Sequence, residues 1–314
     1  MPDVILPAGR CGLADTPPEV LGQSVLRAWD AFLDLVAATD LERPSRLSGL
    51  TGRDVLVHLG AWPDNAVVDS LLSSARAGAV GTSSSLDETN AQLLAAHRDA
   101  TTDEVVAALH RGRAALADFF ASPEAVELGR ALARSTAGPL PVLTLLNAGT
   151  FELAVHALDL APCGAPPPAP HLLDRGLSAL VDITGALASR AGVDLVLGAQ
   201  TPQGGWTFDS GDHGWTTAPL PAGSLTGVGV AGTAADMLEG ASGRVALPQL
   251  LVTRRLVVHS LAQWLRLAPL LEDVPGLPGG AALTGAVGSV SGLVGGVASG
   301  MASGVGRVLG RLRG

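Results

Sequence analysis

The chain has no lysine and no tyrosine, and isoleucine occurs only at Ile5 and Ile183. All 20 of its basic residues are therefore arginine. This skew towards Ala, Gly, Arg, Leu and Val reflects a GC-rich genome and does not bear on the fold. There are only two cysteines, Cys11 and Cys163. They cannot build a disulfide framework and show no CxxC spacing, so both are expected to be reduced and incidental. Basic charge is also short: 29 acidic residues against 20 basic give a net charge of −9, which argues against a nucleic-acid-binding surface. The start, MPDVILPAGRCG, lacks a basic stretch followed by an apolar run. No secretory signal is read there, and the cytoplasm is the expected compartment.

What the chain does have is length and apolar content. With 314 residues, 47% of them hydrophobic, it can bury a core in each of two domains. Residues 1–16 read as a loop-like N-terminal segment. Residues 17–161 are helical in pattern, and four helices are expected. The first carries Val20, Leu21, Val25, Ala28, Phe32, Leu35 and Val36 at helical spacing. The second spans RDVLVHLGAW, and the third is DATTDEVVAALHRGRAALADFF, capped by Thr101 or Thr102. The fourth runs from Pro139 or Pro141 to Leu160. Four such helices with loops between them read as an antiparallel bundle. The Pro-rich stretch 162–170 ends the block as a linker, because a helix cannot continue through it. Residues 171–272 then alternate a long helix, four short strand-like pieces, a short helix ending on Gly, and a closing helix LVTRRLVVHSLAQWLRLAPLL. That is a small α+β domain, so the fold class is α+β, mainly α. In the Gly-rich tail 273–314, Gly288, Gly292, Gly296, Gly300 and Gly304 recur every four residues beside an apolar stripe. Residues 281–312 read either as a helix for self-association or for peripheral contact with a membrane, or as a segment that its glycines leave disordered in water.

Three side chains stand at ligand spacing. Glu152 and His156, in FELAVHALDL, are one helical turn apart on the same face. His58, in VLVHLGAW, lies almost a hundred residues earlier on another apolar stretch. Two His and one carboxylate on facing helices make a site with an open position, the arrangement of a metal that does chemistry. Each residue alone has a plainer reading, His58 as a core histidine and Glu152 with His156 as a surface pair. Asp159, on the same face as His156, could accept the free ring N–H of that ligand, serve as a fourth, or be no more than a helix cap or surface charge. Asp54 is explained by its place at the start of a helix. Trp62 either packs in the core or walls the pocket. The remaining histidines show no ligand spacing.

These residues carry a family resemblance. LERPSRLSGLTGRDVLVHLG and the E-x-x-x-H-x-x-D pattern of FELAVHALDL resemble the mycothiol-dependent maleylpyruvate isomerase family, over about residues 17–272. GGWTFDS with VGVAGTAADMLEGASGR resembles that family's second domain. The resemblance implies a DinB-like metal-binding bundle over 17–161, followed by a sterol-carrier-like domain over 171–272. It implies zinc, or another divalent metal, on His58, Glu152 and His156, and mycothiol as cosubstrate, a thiol that fits an actinobacterial source. Arg244 aligns with a Gly-Arg of the family and is expected either as a catalytic residue facing the site, its planar fork suited to a carboxylate of the substrate or of the thiol, or as an ordinary surface arginine. Two features depart from the family: Leu50 stands where a Trp is common, and the tail is an addition.

The implied activity is thiol-dependent isomerisation. A thiolate adds to an activated alkene, the adduct rotates about the resulting single bond, and elimination returns the other isomer. Stopping at addition or displacement would make the protein an S-transferase, and the same site could instead activate water. The expected partners are a small thiol and a small electrophile. The rival expectation is a non-catalytic metal-binding protein whose second domain and tail hold an apolar ligand, a partner or a membrane surface.

Overall fold

A computed structural model describes residues 4–78 and 86–260. The Gly-rich tail and the expected helix beyond residue 260 lie outside the described residues. The helices are α1 (Pro18–Ala37), α2 (Gly52–Leu56), α3 (Val67–Arg76), α4 (Leu86–Ala96), α5 (Thr102–Ala121), α6 (Glu124–Leu128), α7 (Val142–Asp159), α8 (Pro170–Arg190), α9 (Ala234–Ala241) and α10 (Leu247–Val252). The strands are β1 (Arg10–Cys11), β2 (Leu132–Ala133), β3 (Leu140–Pro141), β4 (Leu195–Thr201), β5 (Gly204–Gly211), β6 (Gly214–Pro219), β7 (Val228–Gly232) and β8 (Leu256–His259). This is the α+β, mainly α class read from the sequence.

The expected start and cap signals form. Pro18 opens α1, where a missing N–H costs nothing, and Leu21, Val25, Phe32, Leu35 and Val36 are buried on its inner face. Thr101 caps α5 in a reciprocal box: its hydroxyl accepts from Glu104 N–H while the Glu104 carboxylate accepts from Thr101 N–H at 2.7 Å. Thr51 and Asp54 do the same for α2, which accounts for Asp54 as a cap.

The bundle differs from expectation in one member. Helices α1 and α7 each pack against α5 or α3, and the ring closes as α1–α5–α3–α7. The stretch around His58 is not the second long helix. It is the five-residue α2 followed by a 3-10 turn, Val57–Leu59, that carries His58. The second bundle position belongs to α3, which begins after that turn.

Beyond the bundle, a six-stranded mixed sheet has the order β1-β6-β5-β4-β7-β8. Strands β4, β5 and β6 form an antiparallel meander in which Leu197 faces Phe208 and Ser210 faces Trp215. The parallel pairing of β4 with β7 needs a crossover, and β7 pairs antiparallel with β8. Two sequence expectations are corrected here. The N-terminal segment is not merely a loop, since Arg10 and Cys11 pair with Gly214 and Trp215 as a parallel edge strand. The stretch read as one closing helix is α10, then β8: Arg254 takes φ 57, a left-handed conformation that ends the helix, and Leu256–His259 joins the sheet.

Helix α8 lies between bundle and sheet, and its glycines show why it can. Gly176 and Gly185 are nine residues, two and a half turns, apart and so face opposite ways. A Cβ at Gly176 would sit 2.4 Å from the Ala154 Cβ of α7. One at Gly185 would meet Phe208 and Trp215 of the sheet at 2.9 Å. Buried Asp182, between them on α8, accepts from Leu13 N–H (2.9 Å), Trp215 Nε1–H (3.0 Å) and Thr217 Oγ1–H (2.7 Å), fastening the N-terminal segment to both layers. Among the described residues no helix is long and apolar enough to cross a membrane.

Candidate metal centre

Helix α7 presents Glu152 and His156 on one face, and the turn after α2 brings His58 to them. The potential ligand atoms of the three side chains all lie within 4.8 Å of one another. Bonds of ~2.1 Å to a single ion impose separations of ~3–4 Å, so small side-chain rotations close the set. His156 Nε2 stands 3.5 Å from Glu152 Oε2, and the rings of His58 and His156 meet edge-on at 4.7 Å. The donor set of two imidazoles and a carboxylate fits a divalent ion of zinc type and leaves coordination positions free.

The support behind His156 is more ordered than the sequence alone could show. Asp159, with no exposed surface, accepts from His156 Nδ1–H at 2.9 Å. That bond fixes the tautomer, leaving the Nε2 lone pair on the side of Glu152 and His58. Asp159 points away from the ligand atoms, so of its two readings the geometry is that of an orienting partner and not of a fourth ligand. Arg244, arriving from after α9, donates to Asp159 through Nε (3.1 Å) and Nη2 (2.9 Å), and through Nη1 to the Ser242 carbonyl. Its fork is therefore spent on a carboxylate of the protein. Besides this bond to Asp159, its charge acts directly on His58 and Glu152, lowering the pKa of each.

The electrostatics follow the burial. His58 is pushed down to about 4, first by burial and then by the neighbouring His156, so its ring is neutral over the physiological range. Burial opposes charge on His156 too, but its bonds to Asp159 and Glu152 outweigh burial and raise its pKa. Glu152 and Asp159 move the other way: burial alone would raise them, and the adjacent His156 lowers both. The cluster thus holds ionised carboxylates and a neutral His58 near pH 7, while the raised pKa of His156 means that a proton competes with a metal ion for its Nε2.

A cleft of about 170 Å³ opens beside His58 and Glu152, with Trp29, Leu116, Leu145, Leu146 and Leu153 among its walls. Helical spacing marks these wall residues only as core positions, so sequence reading missed them as a pocket. Trp62 is not one of them. It is buried, donates Nε1–H to the Val57 carbonyl at 2.7 Å and stacks on His97 at 3.8 Å, so it braces the His58 turn from behind. His97 in turn contacts Asp64, consistent with a structural role.

Residues 23–161 match the family described as the mycothiol maleylpyruvate isomerase N-terminal domain. That stretch belongs to this domain family. It contains His58, Glu152, His156 and Asp159, whereas Arg244 comes from outside it. Among solved structures, the crystal structure of the mycothiol-dependent maleylpyruvate isomerase is similar at 18% identity and a TM-score of 0.48, covering 75% of this chain and 93% of that one. A histidine-to-alanine mutant of that enzyme gives a TM-score of 0.47 with the same identity and coverage. No curated protein sequence gives a significant match.

Proposed function

We propose that the protein is an enzyme that uses a low-molecular-weight thiol, mycothiol by its domain family, to isomerise or S-conjugate a small electrophile. His58, Glu152 and His156 would hold zinc or another divalent cation. The observation that carries this reading is the convergence of those three groups, two of which, His58 and Glu152, also line an apolar cleft, with the far nitrogen of His156 taken by a buried carboxylate. A divalent cation bound there supplies positive charge and an open position, at which a thiol gives up its proton near neutral pH.

The chain's own residues prepare that step. Asp159 holds the His156 tautomer, and Arg244 keeps Asp159 ionised and pointed at Nδ1, so both act as positioning residues. Glu152 adds negative charge and lowers the net charge of the loaded site. The apolar walls keep water from the nucleophile, which is therefore less solvated and more reactive than in bulk water. On this reading the bundle, residues 17–161, holds the metal, and the domain over 171–272 contributes Arg244 from across the 162–170 linker.

Elemental analysis of the purified protein beside His58→Ala tests the proposal. About one equivalent of divalent metal is expected in the parent, lost together with thiol-dependent turnover in the variant. Full turnover by a metal-free His58→Ala protein would sink it.

A further inference from the structure

Among the described residues, the cleft beside the ligand cluster has no basic side chain in its wall. His58, Glu152 and the exposed Asp69 contribute to its lining, and every other described side chain there is apolar. The guanidinium groups nearby in sequence are engaged elsewhere. Arg111 and Arg113 flank the lining residue Gly112. Arg111 Nε donates to the Ala61 carbonyl at 3.0 Å, and Arg113 Nε donates to Asp30 at 2.9 Å. Arg244 is held by Asp159.

We infer that the electrophile this site accepts is uncharged and apolar, with a ring-sized group, and is not a dicarboxylate. Calling the ligand an electrophile rests on the thiol reading above; its charge and polarity rest on the lining. An ionised carboxylate entering the cleft would leave water for hydrocarbon walls and approach the negative charges of Glu152 and Asp69. A dication held by the cluster would not reverse this: its charge and that of Arg244 are offset by Glu152, Asp159 and an ionised thiol, which leaves no net positive charge to draw an anion in. The size agrees: a cavity of roughly 150 Å³ lined by aliphatic and aromatic side chains takes a benzene ring, and this one is comparable. The room exists because Gly149, one turn before Glu152 on α7, presents no side chain. A Cβ added there would meet nothing within 4 Å.

Dimethyl phthalate and phthalate share a ring and differ by two charges, so they separate the alternatives without requiring turnover. Their binding to the zinc-saturated full chain can be followed by ligand-observed NMR. The ester is expected to bind about tenfold more tightly or better, a difference of ~1.4 kcal/mol. Gly149→Leu, which fills the open space, should abolish ester binding. Leu145→Arg, which puts a cation on a half-buried wall position, should raise phthalate affinity and guards against a folding defect in the first variant. Phthalate binding as tightly as the ester, or ester binding that is undetectable or indifferent to Gly149→Leu, would overturn the inference. Metal content and thiol-dependent turnover, measured on the same samples, separate the two proposals. If both are absent while the ester preference persists, the thiol reading fails and the charge selectivity of the cleft stands.

Discussion

Asp159→Asn removes one charge from the fully buried group that aims His156, and its effect can be worked out from the contacts. The amide keeps the size of the carboxylate and one acceptor oxygen. In the parent, Oδ2 takes both the His156 Nδ1–H at 2.9 Å and Arg244 Nη2–H at 2.9 Å. The amide meets these two donors with less charge and presents a donor of its own, so the tautomer and orientation of His156 are no longer enforced. Loss of such an orienting partner typically weakens metal binding by roughly 10–100-fold, or about 1.4–2.7 kcal/mol. Arg244, partly open to solvent, can rehydrate its fork, so the global stability loss should be the smaller effect.

The assay is competition for zinc against a chromophoric chelator at pH 7, with His58→Ala as the reference for a broken site. Arg244→Gln should weaken binding in the same direction but less, because Asp159 still reaches His156. The double variant should be little worse than Asp159→Asn alone, since both substitutions cut one linear chain of contacts. An Asp159→Asn protein that binds zinc as tightly as the parent, while His58→Ala does not, would refute this account of how His156 is held.

Two glycines should respond to alanine with opposite sign. Gly176→Ala forces a Cβ to within 2.4 Å of Ala154, and should cost about 1–3 kcal/mol despite the better helix propensity of alanine. Gly149→Ala meets open space on an interior helix turn and should stabilise by about 0.5–1 kcal/mol. Urea midpoints at constant slope distinguish them, and a shared sign would contradict the packing of α8 on α7. Asp182 gives a pH test. Burial raises its pKa against the three hydrogen bonds it accepts, so the folded chain holds this proton more tightly than the unfolded one. Its contribution is therefore most favourable below the unfolded value of ~3.9 and declines as pH rises through the raised folded value. Asp182→Asn should remove that decline. Urea midpoints measured from acid to neutral pH that fall equally in parent and variant would disprove it.

Local signals in the sequence were enough for most of the bundle. Helices α1, α5 and α7 follow from apolar spacing, with Pro18 and Thr101 marking their starts. The stretch around His58 misled because VLVHLG is more apolar than VVDSLLSSAR. Yet the second supplies the bundle helix, burying only Leu72 and Ala75, while the first turns into a 3-10 segment braced by Trp62. At the other end LVVHSLAQWL is continuous enough to pass for a helix. The left-handed Arg254 and Ser260, at φ 57 and 59, frame a short strand instead, and no composition rule marks an arginine or a serine for that conformation.

The site divides along the same line. Glu152 and His156 were legible because a single turn of helix brings them together, and Asp159 because it is one turn further on. The contact that makes Asp159 an orienting group comes from Arg244, 85 residues away, and could be suspected only through resemblance. The cleft left still less trace, since Trp29, Leu116 and Leu153 satisfy the helical period as any core residue does. What turns those core positions into a cleft wall is a missing side chain. A glycine inside a helix costs ~1 kcal/mol relative to alanine, and Gly149 sits one turn before a charged residue that the same helix presents to His58. The structure shows no neighbour that would forbid a larger residue at that position, so packing does not account for the glycine. On the inference drawn above, that space is kept for a ligand, and a helical glycine one turn from a metal-type cluster is then the pattern by which such a pocket could be read from sequence.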